Sequence, residues 1–378
     1  MWSTTRLTLG RRLSRTVTDS GPSAKVVELK IDVGAMVTLP RIVSLFSGAG
    51  GLDLGFRQAG FDIAFAVDKS KWAIETHRRN FPLTVSTTRD LDEMSPVALV
   101  DLLAPVLNKR ERIGVIGGPP CQGFSRANPN SEANDPRNRL PMLYLEIVEE
   151  LQARYEVEFV LFENVLGIRD AKHEIVFAGI LQKLEDLGFQ DQVSEYSALD
   201  FGVPQVRRRV IISAFKNTLQ RDTFEPVKVA ASDLSVRAAI GGLPEPAYFR
   251  RDLLAKDIPH HPNHWTMRPL SKRFSSPNPN LAGSRSFRKL SWEKPSPTVA
   301  YGHREIHVHP DGHRRLSIFE AMVLQGFPSE FVLQGPLSAQ VEQVSNAVPP
   351  PLARRLAEAT SRALEATRAR GVGVVTGN

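Results

Sequence analysis

The sequence predicts a parallel, doubly wound α/β sheet together with a small, loop-rich, mostly β domain. Between residues 41 and 213, short apolar runs typical of buried strands alternate with stretches whose apolar residues recur at helical spacing. Strands that alternate with helices of this length form parallel sheets covered by helices on both faces. Between residues 244 and 310 the alternation stops, prolines cluster, and basic and aromatic side chains interleave. A helical pattern returns after residue 313.

Each predicted strand is a short run rich in Val, Ile, Leu and Phe. In chain order the strands cover residues 42–46, 61–67, 113–116, 159–162 and 210–213. Each predicted helix carries apolar residues at helical spacing, and several end near a residue that stops helices, such as Gly60, Pro82 or Gly188. In chain order the helices cover residues 52–59, 71–80, 96–107, 142–152, 178–187, 317–324 and 350–368.

The composition is globular and excludes several classes of protein. The chain has 378 residues, with 48 Lys and Arg against 41 Asp and Glu, a formal net charge of +7, and a single cysteine. One cysteine excludes a disulfide framework and a multi-cysteine zinc or iron–sulfur site. No apolar run approaches the roughly 20 residues of a membrane span, so we expect no membrane partner. The basic balance is compatible with a polyanion but does not by itself predict one.

The texture of the sequence divides the chain into four parts. Residues 1–40, which begin Ser/Thr-rich and basic, are predicted to form a flexible arm, and an over-extended start or a transit peptide are the alternatives. Residues 41–244 form the predicted α/β domain and residues 245–312 the small domain. Residues 313–378 are predicted to return to the α/β domain.

A glycine-rich turn and an acid point to a ligand at the carboxyl edge of the sheet. The turn follows the first predicted strand and precedes a helix, an arrangement that lines a cradle with backbone amides. Asp68 ends the second strand, where an acid can hold ribose hydroxyls. The pair predicts an adenosine-type cofactor, although the glycines match neither a P-loop nor the dinucleotide fingerprint, and a tight turn without function is the alternative.

Three further clusters also lie at strand ends. Cys121 follows two prolines, which favours a nucleophile on a rigid loop over a small buried side chain. Glu163 ends the strand over residues 159–162, where a helix-capping acid is the alternative. Alternation along an extended segment predicts Gln205, Arg207 and Arg209 on one face, where a solvated charge run is the alternative.

Read together, these motifs resemble the DNA cytosine-5 methyltransferases. The resemblance spans residues 41–360 and rests on five motifs in family order, namely FSGAGG (46–51), GPPCQGFS (118–125), ENV (163–165), QVRRR (205–209) and SNAV (345–348). It implies a Rossmann-like, S-adenosylmethionine-dependent methyltransferase sheet with a mostly β target-recognition domain. The segment 286–302 is similar to the one that organises that domain in the family.

The resemblance implies how the reaction is catalysed. Carbon 5 of cytosine is too electron-poor to attack a sulfonium methyl unaided, and addition of the Cys121 thiolate to carbon 6 makes it nucleophilic. Glu163 would protonate ring nitrogen 3, and Arg209 would contact the cytosine carbonyl oxygen. Arg207 would support the nucleophile and a phosphate. The target base has to leave the helix to reach Cys121, so base flipping is implied.

The resemblance also implies the cofactor and its contacts. The methyl donor is S-adenosylmethionine, the product is S-adenosylhomocysteine, and no metal is expected. Phe46 would contact the adenine, Asp68 the ribose and Asp90 the adenine amino group. The full set of expected cofactor contacts is Phe46, Ser47, Gly48, Ala49, Gly50, Gly51, Asp68, Asp90, Pro119 and Asn346. The family usually has Glu and then an aromatic residue where this chain has Asp68 and Lys69, which puts adenine stacking on that side in doubt.

Double-stranded DNA is the implied partner, and the predicted small domain would read its site. Basic and aromatic interleaving suits phosphate contacts combined with base-edge readout. The candidate DNA contacts are Gln122, Ser125, Gln205, Arg268, Arg285, Arg288, His303 and Arg304. Seven of the nine histidines lie between His260 and His313. Contact with DNA or the domain hinge is favoured for them over a zinc site.

The leading hypothesis is a site-specific DNA cytosine-5 methyltransferase of a bacterial restriction–modification system. The resemblance implies a monomer in the cytoplasm, associated with the nucleoid, with a cognate endonuclease acting separately. Three alternatives remain, namely an RNA cytosine methyltransferase with the same motifs, a catalytically dead DNA-binding protein on this fold, and a nucleotide-dependent oxidoreductase. Retention of Cys121 and Glu163 disfavours the second, and the spacing of the glycines disfavours the third.

Overall fold

The central sheet has seven strands, and most of them run parallel. The structure is a computed structural model that describes residues 38–120, 139–216, 224–230, 233–267, 274, 287–298 and 306–371. The strands of the sheet are β1 (Arg41–Leu45), β2 (Ile63–Asp68), β3 (Val85–Thr88), β4 (Arg112–Gly117), β5 (Glu156–Asn164), β6 (Phe189–Ser197) and β8 (Arg208–Lys216). Their order across the sheet is β3-β2-β1-β4-β5-β8-β6. The predicted α/β fold class is confirmed.

One strand departs from the predicted parallel arrangement. Strand β8 pairs antiparallel with both β5 and β6, whereas β1 to β5 pair parallel with their neighbours. Asn164 at the end of β5 pairs with Val210, near the start of β8. The reversal therefore brings the beginning of β8 to the carboxyl edge of the parallel strands. The residues around 207–209 thus meet the end of β5.

Helices cover the sheet and extend from its carboxyl edge. They are α1 (Gly51–Gln58), α2 (Lys71–Asn80), α3 (Pro96–Leu103), α4 (Leu140–Arg154), α5 (Glu174–Asp186), α6 (Val236–Ile240), α7 (Ile318–Leu324), α8 (Leu337–Asn346) and α9 (Pro350–Gly371). Short 3-10 turns cover Leu91–Glu93, Leu166–Arg169, Ala171–His173, Ala198–Phe201 and Ala255–Asp257. No helix in the described part of the chain is long and apolar enough to cross a membrane.

The sequence predictions locate most of these elements and miss four. Helix α2 has its predicted bounds, whereas α3 ends at Leu103 and not at 107. The longer prediction was wrong because it ran through Pro105, which lacks an N–H and disfavours helical backbone in the residue before it. Strands β3 and β6 and helices α6 and α8 were not predicted; β3, β6 and α8 are polar on one or both faces.

The segment predicted as the small domain contains short strands. They are β9 (Ala247–Tyr248), β10 (Trp265–Thr266), β11 (Phe287–Lys289), β12 (Ser296–Pro297) and β13 (Ile306–Val308). Strand β9 pairs with β10 and β11 with β13. Strand β12 pairs with β7 (Gln205–Val206), immediately before Arg207. The domain boundaries at 244 and 312 stay predictions, and the predicted arm lies almost wholly outside the described residues.

Two apolar clusters form the core. One includes Phe56, Phe159 and Leu356, and joins α1 and α9 to the sheet. The other includes Val43, Tyr144 and Phe162, and joins α3, α4 and α5 to it. Side chains on both faces of the central strands are buried. Each Å² of apolar surface removed from water contributes about 25 cal/mol to the free energy of unfolding, and this burial stabilises the sheet. The strand ends are thereby held in fixed relative positions.

Candidate active site

A cavity lies at the carboxyl edge of the sheet, where the strand order changes direction. Strand β1 lies between β2 and β4. From β1 the chain continues outward through β2 and β3, and it then returns to the other side of β1 to form β4. Open α/β sheets bind ligands in the crevice at such a point. The cavity encloses about 290 Å³, and residues that follow β1, β2, β4 and β5 line it together with residues of α8. The predicted clusters at the ends of these strands are thus neighbours.

The glycine turn forms one wall of this cavity. Phe46 and Gly48 adopt positive φ angles of 53° and 55°, and Gly50 N donates to Ser47 O over 3.0 Å. Gly50 has a φ of 92°, and a Cβ there would lie 2.6 Å from the Phe81 ring. A Cβ at Gly48 would meet nothing within 4 Å. The turn therefore packs tightly at Gly50 and is open at Gly48; of the six predicted turn contacts, all but Gly50 line the cavity.

Asp68 holds the turn from the neighbouring strand. Its Oδ2 accepts from Gly48 N over 2.9 Å, and its Oδ1 accepts from Ser70 N over 2.8 Å. Burial raises the pKa of this carboxyl group, and the two backbone donors oppose that shift. Asp68 therefore has a structural task in addition to the ribose contact that the sequence predicts.

The residues beside Asp68 replace the aromatic face expected from the family. Lys69 Nζ lies 3.9 Å from Asp90 Oδ2, and Asp90 Oδ1 accepts from Asp92 N over 3.1 Å. Lys69 and Asp90 both line the cavity. An exposed ion pair thus stands at the rim where the family has an aromatic side chain.

The acid and the arginines meet at the end of β5. Glu163 is 8% exposed, and its Oε1 lies 2.8 Å from Arg209 Nε, which the reversed strand β8 brings to this edge. A Cβ at Gly118 would lie 3.0 Å from Glu163 Oε2, so the glycine leaves room for the carboxylate. Pro119 and Pro120 line the same cavity. Cys121 follows directly and lies outside the described residues.

Arg207 lines the cavity, and Gln205 is buried two residues before it. Arg207 is 1% exposed and donates to Ser345 O over 3.0 Å. Gln205 is fully buried and donates to Gln325 Oε1 over 2.7 Å, and Gln325 donates to Ala347 O over 2.6 Å. Gln205 was predicted to contact DNA. Gln205 Oε1 has no hydrogen-bond partner among the described residues, and the DNA contact stays a prediction.

Helix α8 supplies a wall that the sequence analysis did not predict. Its residues that line the cavity are Ala339, Glu342, Gln343, Ser345 and Asn346. Gln343 Oε1 accepts from Thr76 Oγ1 over 2.6 Å, which ties α8 to α2. Asn346 was predicted from the SNAV motif, but the helix before it was not. Asp53, on α1, is another of the cavity residues that were not predicted, and its position just after the glycines was the available signal.

Few of the predicted DNA contacts fall within the described residues. Arg288 is exposed on β11. Gln122, Ser125, Arg268, Arg285, His303 and Arg304 lie outside the described residues. Of the histidines, His307 and His309 are buried, and burial lowers the pKa of His261 to about 4. In the described ranges no three His, Cys, Asp or Glu side chains are grouped so that they could hold a metal ion.

Comparison with protein families decides the class. Residues 40–362 match the family model for C-5 cytosine-specific DNA methylases. The chain belongs to this family. The match covers most of the chain, so this is a DNA cytosine-5 methyltransferase by family, and the oxidoreductase alternative is excluded.

Curated relatives agree with this assignment. The chain is 33% identical over 351 residues to the type II methyltransferase M.MthTI of Methanothermobacter thermautotrophicus, with 86% of this chain and 98% of the relative covered. It is 33% identical over 331 residues to M1.HphI of Haemophilus parahaemolyticus, with 84% and 85% covered. The resemblance stated from the motifs is confirmed.

Solved structures support the fold of this methyltransferase. A prophage-encoded protein of E. coli superposes with a TM-score of 0.69 at 25% identity, over 86% of this chain and all of that one. The S. pombe Dnmt2 methyltransferase superposes with a TM-score of 0.58 at 18% identity, over 86% and 98%. The second likeness shows the fold alone.

Proposed function

We propose that this cytosine-5 methyltransferase methylates a flipped cytosine in duplex DNA through a covalent Cys121 adduct, as the modification enzyme of a restriction–modification system. The observation that carries the proposal is the shared cavity. The glycine turn, the Glu163–Arg209 pair and the Pro119-Pro120 segment that leads to Cys121 all line it. A donor site and a base site in one cavity are what direct methyl transfer requires.

The residues of the cavity fit an adenosine-type methyl donor. Gly48 offers open space beside backbone amides, and α1 starts at the turn, where a helix N-terminus attracts a carboxylate. Asp68, at the end of β2, and Asp90, just after β3, place acceptors for ribose hydroxyls and the adenine amino group. Phe46, Pro119 and Asn346 complete the lining. S-adenosylmethionine, when bound, supplies an electrophilic methyl group on a sulfonium sulfur.

The chain's own residues then carry the covalent chemistry. The Cys121 thiolate forms a bond to carbon 6 of cytosine, and Glu163 gives a proton to nitrogen 3, so that carbon 5 becomes nucleophilic. Carbon 5 takes the methyl group as the methyl–sulfur bond breaks. Loss of the carbon 5 proton to a base from solvent then re-forms the double bond between carbons 5 and 6 and expels the Cys121 thiolate, and nitrogen 3 returns its proton to Glu163.

The two arginines position these groups. Arg209 holds Glu163 Oε1 at 2.8 Å and presents its guanidinium to the carbonyl oxygen of the base. Arg207 is anchored on Ser345 O, which fixes it between the base site and α8. The cytosine has to be extruded to reach these groups, because they line a cavity at the sheet edge that a base stacked in a duplex does not enter.

Duplex DNA is the proposed substrate, bound through the segment that precedes α7 and the predicted DNA contacts, of which Arg288 is exposed. The type II names of the relatives support a role in modification of the cell's own DNA. The proposal places this activity in the bacterial cytoplasm, carried out by a monomer, with any endonuclease acting separately.

Bisulfite sequencing of DNA from cells that express the protein tests the proposal. The expected result is protection of one cytosine within a recurring short sequence, which also identifies the recognition site. Transfer of radiolabelled methyl groups to purified duplex DNA and to tRNA provides the second arm. Transfer to tRNA alone would contradict the proposal and favour the RNA methyltransferase.

A further inference from the structure

Glu342 is an acid of the cavity wall with no function assigned to it. It lies on α8, and four of the five residues of α8 that line the cavity are Ala339, Glu342, Gln343 and Asn346. These four positions follow the spacing i, i+3, i+4 and i+7, which places them on one face of a helix. This face of α8 is therefore turned to the cavity, and Glu342 stands in the middle of it.

The carboxylate of Glu342 is available to a ligand, unlike those of other acids in this cavity. Asp90 lies 3.9 Å from the ammonium group of Lys69. Glu163 lies 2.8 Å from the guanidinium group of Arg209. Glu342 is exposed, and in the described part of the chain it makes no hydrogen bond or ion pair. Glu342 is thus an accessible acceptor on the cavity-facing side of α8.

Buried hydrogen bonds hold the helix that carries this acid. Gln343 Oε1 accepts from Thr76 Oγ1 over 2.6 Å, which joins α8 to α2. Three residues earlier, Gln340 Oε1 accepts from Asn263 Nδ2 over 3.0 Å. Both glutamines are buried. Because the backbone of α8 is fixed in this way, a ligand that binds Glu342 has to order only the side chain of this residue, which keeps the entropic cost of the contact low.

The neighbouring acid Asp68 indicates which ligand group Glu342 binds. Burial raises the pKa of Asp68, and the nearby charge of Glu342 adds to that rise, so the two carboxylates are close enough to repel each other. An acid at the position of Asp68 can hold ribose hydroxyls. Both of its oxygens already accept from a backbone amide, of Gly48 and of Ser70. A ribose has two hydroxyl groups on adjacent carbons, and two carboxylates near each other can each accept from one of them.

We propose that Glu342 accepts a hydrogen bond from one of the two ribose hydroxyls of the methyl donor, with Asp68 as the partner of the other. The inference rests on the proposed donor site and adds a contact from α8 to it. The ribose would thereby be bound from two separate elements, β2 and α8. This bond would contribute equally to binding of S-adenosylmethionine and of S-adenosylhomocysteine, because both carry the same ribose.

A double-mutant cycle between the protein and the ligand tests this contact. Dissociation constants are measured by calorimetry, without DNA, for the wild type and Glu342→Ala. The ligands are S-adenosylhomocysteine and its 2′-deoxy and 3′-deoxy analogues. We expect the wild type to bind each analogue about tenfold more weakly, the lower end for a hydrogen bond to a charged group, because water reaches Glu342. Glu342→Ala should bind one of the two analogues as tightly as S-adenosylhomocysteine within about twofold, since the acceptor for the missing hydroxyl is gone.

Unchanged losses for both analogues in Glu342→Ala would overturn the inference, as would a wild type that binds both analogues as tightly as S-adenosylhomocysteine. Failure of the wild type to bind S-adenosylhomocysteine at all would instead contradict the proposed function, so the two failures are distinguishable. The variant should fold, because residue 342 is exposed and alanine favours helices. Glu146→Ala, at an exposed acid of α4 outside the cavity, is the matched control and should show the wild-type losses.

Discussion

The Glu163–Arg209 pair allows a sharp prediction because a similar ion pair lies on the same strand. In Glu163→Gln the shape of the side chain is kept, but its charge and its acidic proton are lost. A positioned general acid contributes about 10²- to 10⁴-fold to a rate, so we expect the single-turnover rate of methyl transfer to fall by at least about 100-fold. Binding of S-adenosylhomocysteine should change little, because Glu163 is assigned to the base and not to the donor.

The cost in stability is separable from this effect. The Glu163 and Arg209 side chains are 10% and 13% exposed. Breaking a fully buried pair costs about 3–5 kcal/mol, and an exposed pair contributes about 0–1 kcal/mol. Because a little solvent reaches both groups and glutamine keeps an acceptor for Arg209, we expect a loss of about 1–2 kcal/mol by urea denaturation.

Glu158 provides the control for this prediction. It lies on β5 like Glu163 but outside the cavity, and its Oε1 and Oε2 accept from Arg112 over 2.6 and 2.9 Å. Glu158→Gln should lose comparable stability and keep the wild-type rate. A Glu163→Gln enzyme with a rate within about threefold of the wild type would refute the acid role, as would an equal loss of rate in Glu158→Gln.

Three further predictions follow from the walls of the cavity. Gln325→Ala removes the hydrogen bond to Ala347 O. In steady-state assays it should raise KM for the donor several-fold more than KM for DNA. An equal rise in both KM values would argue against a role of Gln325 in positioning the donor site. Gly50→Ala should destabilise the protein by more than about 1 kcal/mol in thermal unfolding and abolish donor binding. The backbone at residue 50 has a φ of 92°, and the Cβ of the alanine would lie 2.6 Å from the Phe81 ring. Wild-type stability in this variant would show that the turn can relax. Burial raises the pKa of Asp68, so the folded state binds the proton of this carboxyl group more tightly than the unfolded state does. The free energy of unfolding should therefore fall as pH rises from about 4 through the raised pKa. Urea denaturation should show a smaller fall in Asp68→Asn, and a pH profile identical to that of the wild type would contradict the assignment.

The sequence was informative where burial imposes a strong pattern. Strands β1, β2, β4 and β5 are covered on both faces and so read as apolar runs. Strands β3 and β6 lie at the two edges of the sheet. Polar residues interrupt their sequences, so neither contains an apolar run that could be detected. The direction of β8 was not predictable either, because period-2 patterning is the same in parallel and antiparallel strands.

Several site residues expected from contiguous motifs line one cavity, and the roles assigned to them stay predictions, whereas contacts between distant segments left no signal in the sequence. Glu163 and Asp68 stand at strand ends, where sheet geometry brings them to one cavity. Gln205 was predicted on one face with Arg207 and Arg209 and as a DNA contact, and its hydrogen bond to Gln325, 120 residues away, was not predicted. Asp53 shows the same limit, since its neighbour His77 is on another helix. Periodicity describes a residue's own element and does not report what packs against it.

Covalent trapping is the measurement that tests the central claim most directly. A duplex is prepared that carries 5-fluorocytosine at the cytosine that bisulfite sequencing identifies, and it is incubated with enzyme and S-adenosylmethionine. After methyl transfer, fluorine at carbon 5 cannot leave as a proton does, so the Cys121 adduct should persist and migrate as a protein–DNA complex under denaturing conditions. The complex should require the donor and be absent in Cys121→Ser. Methyl transfer to normal DNA without any trapped complex, or trapping that survives Cys121→Ser, would contradict the account.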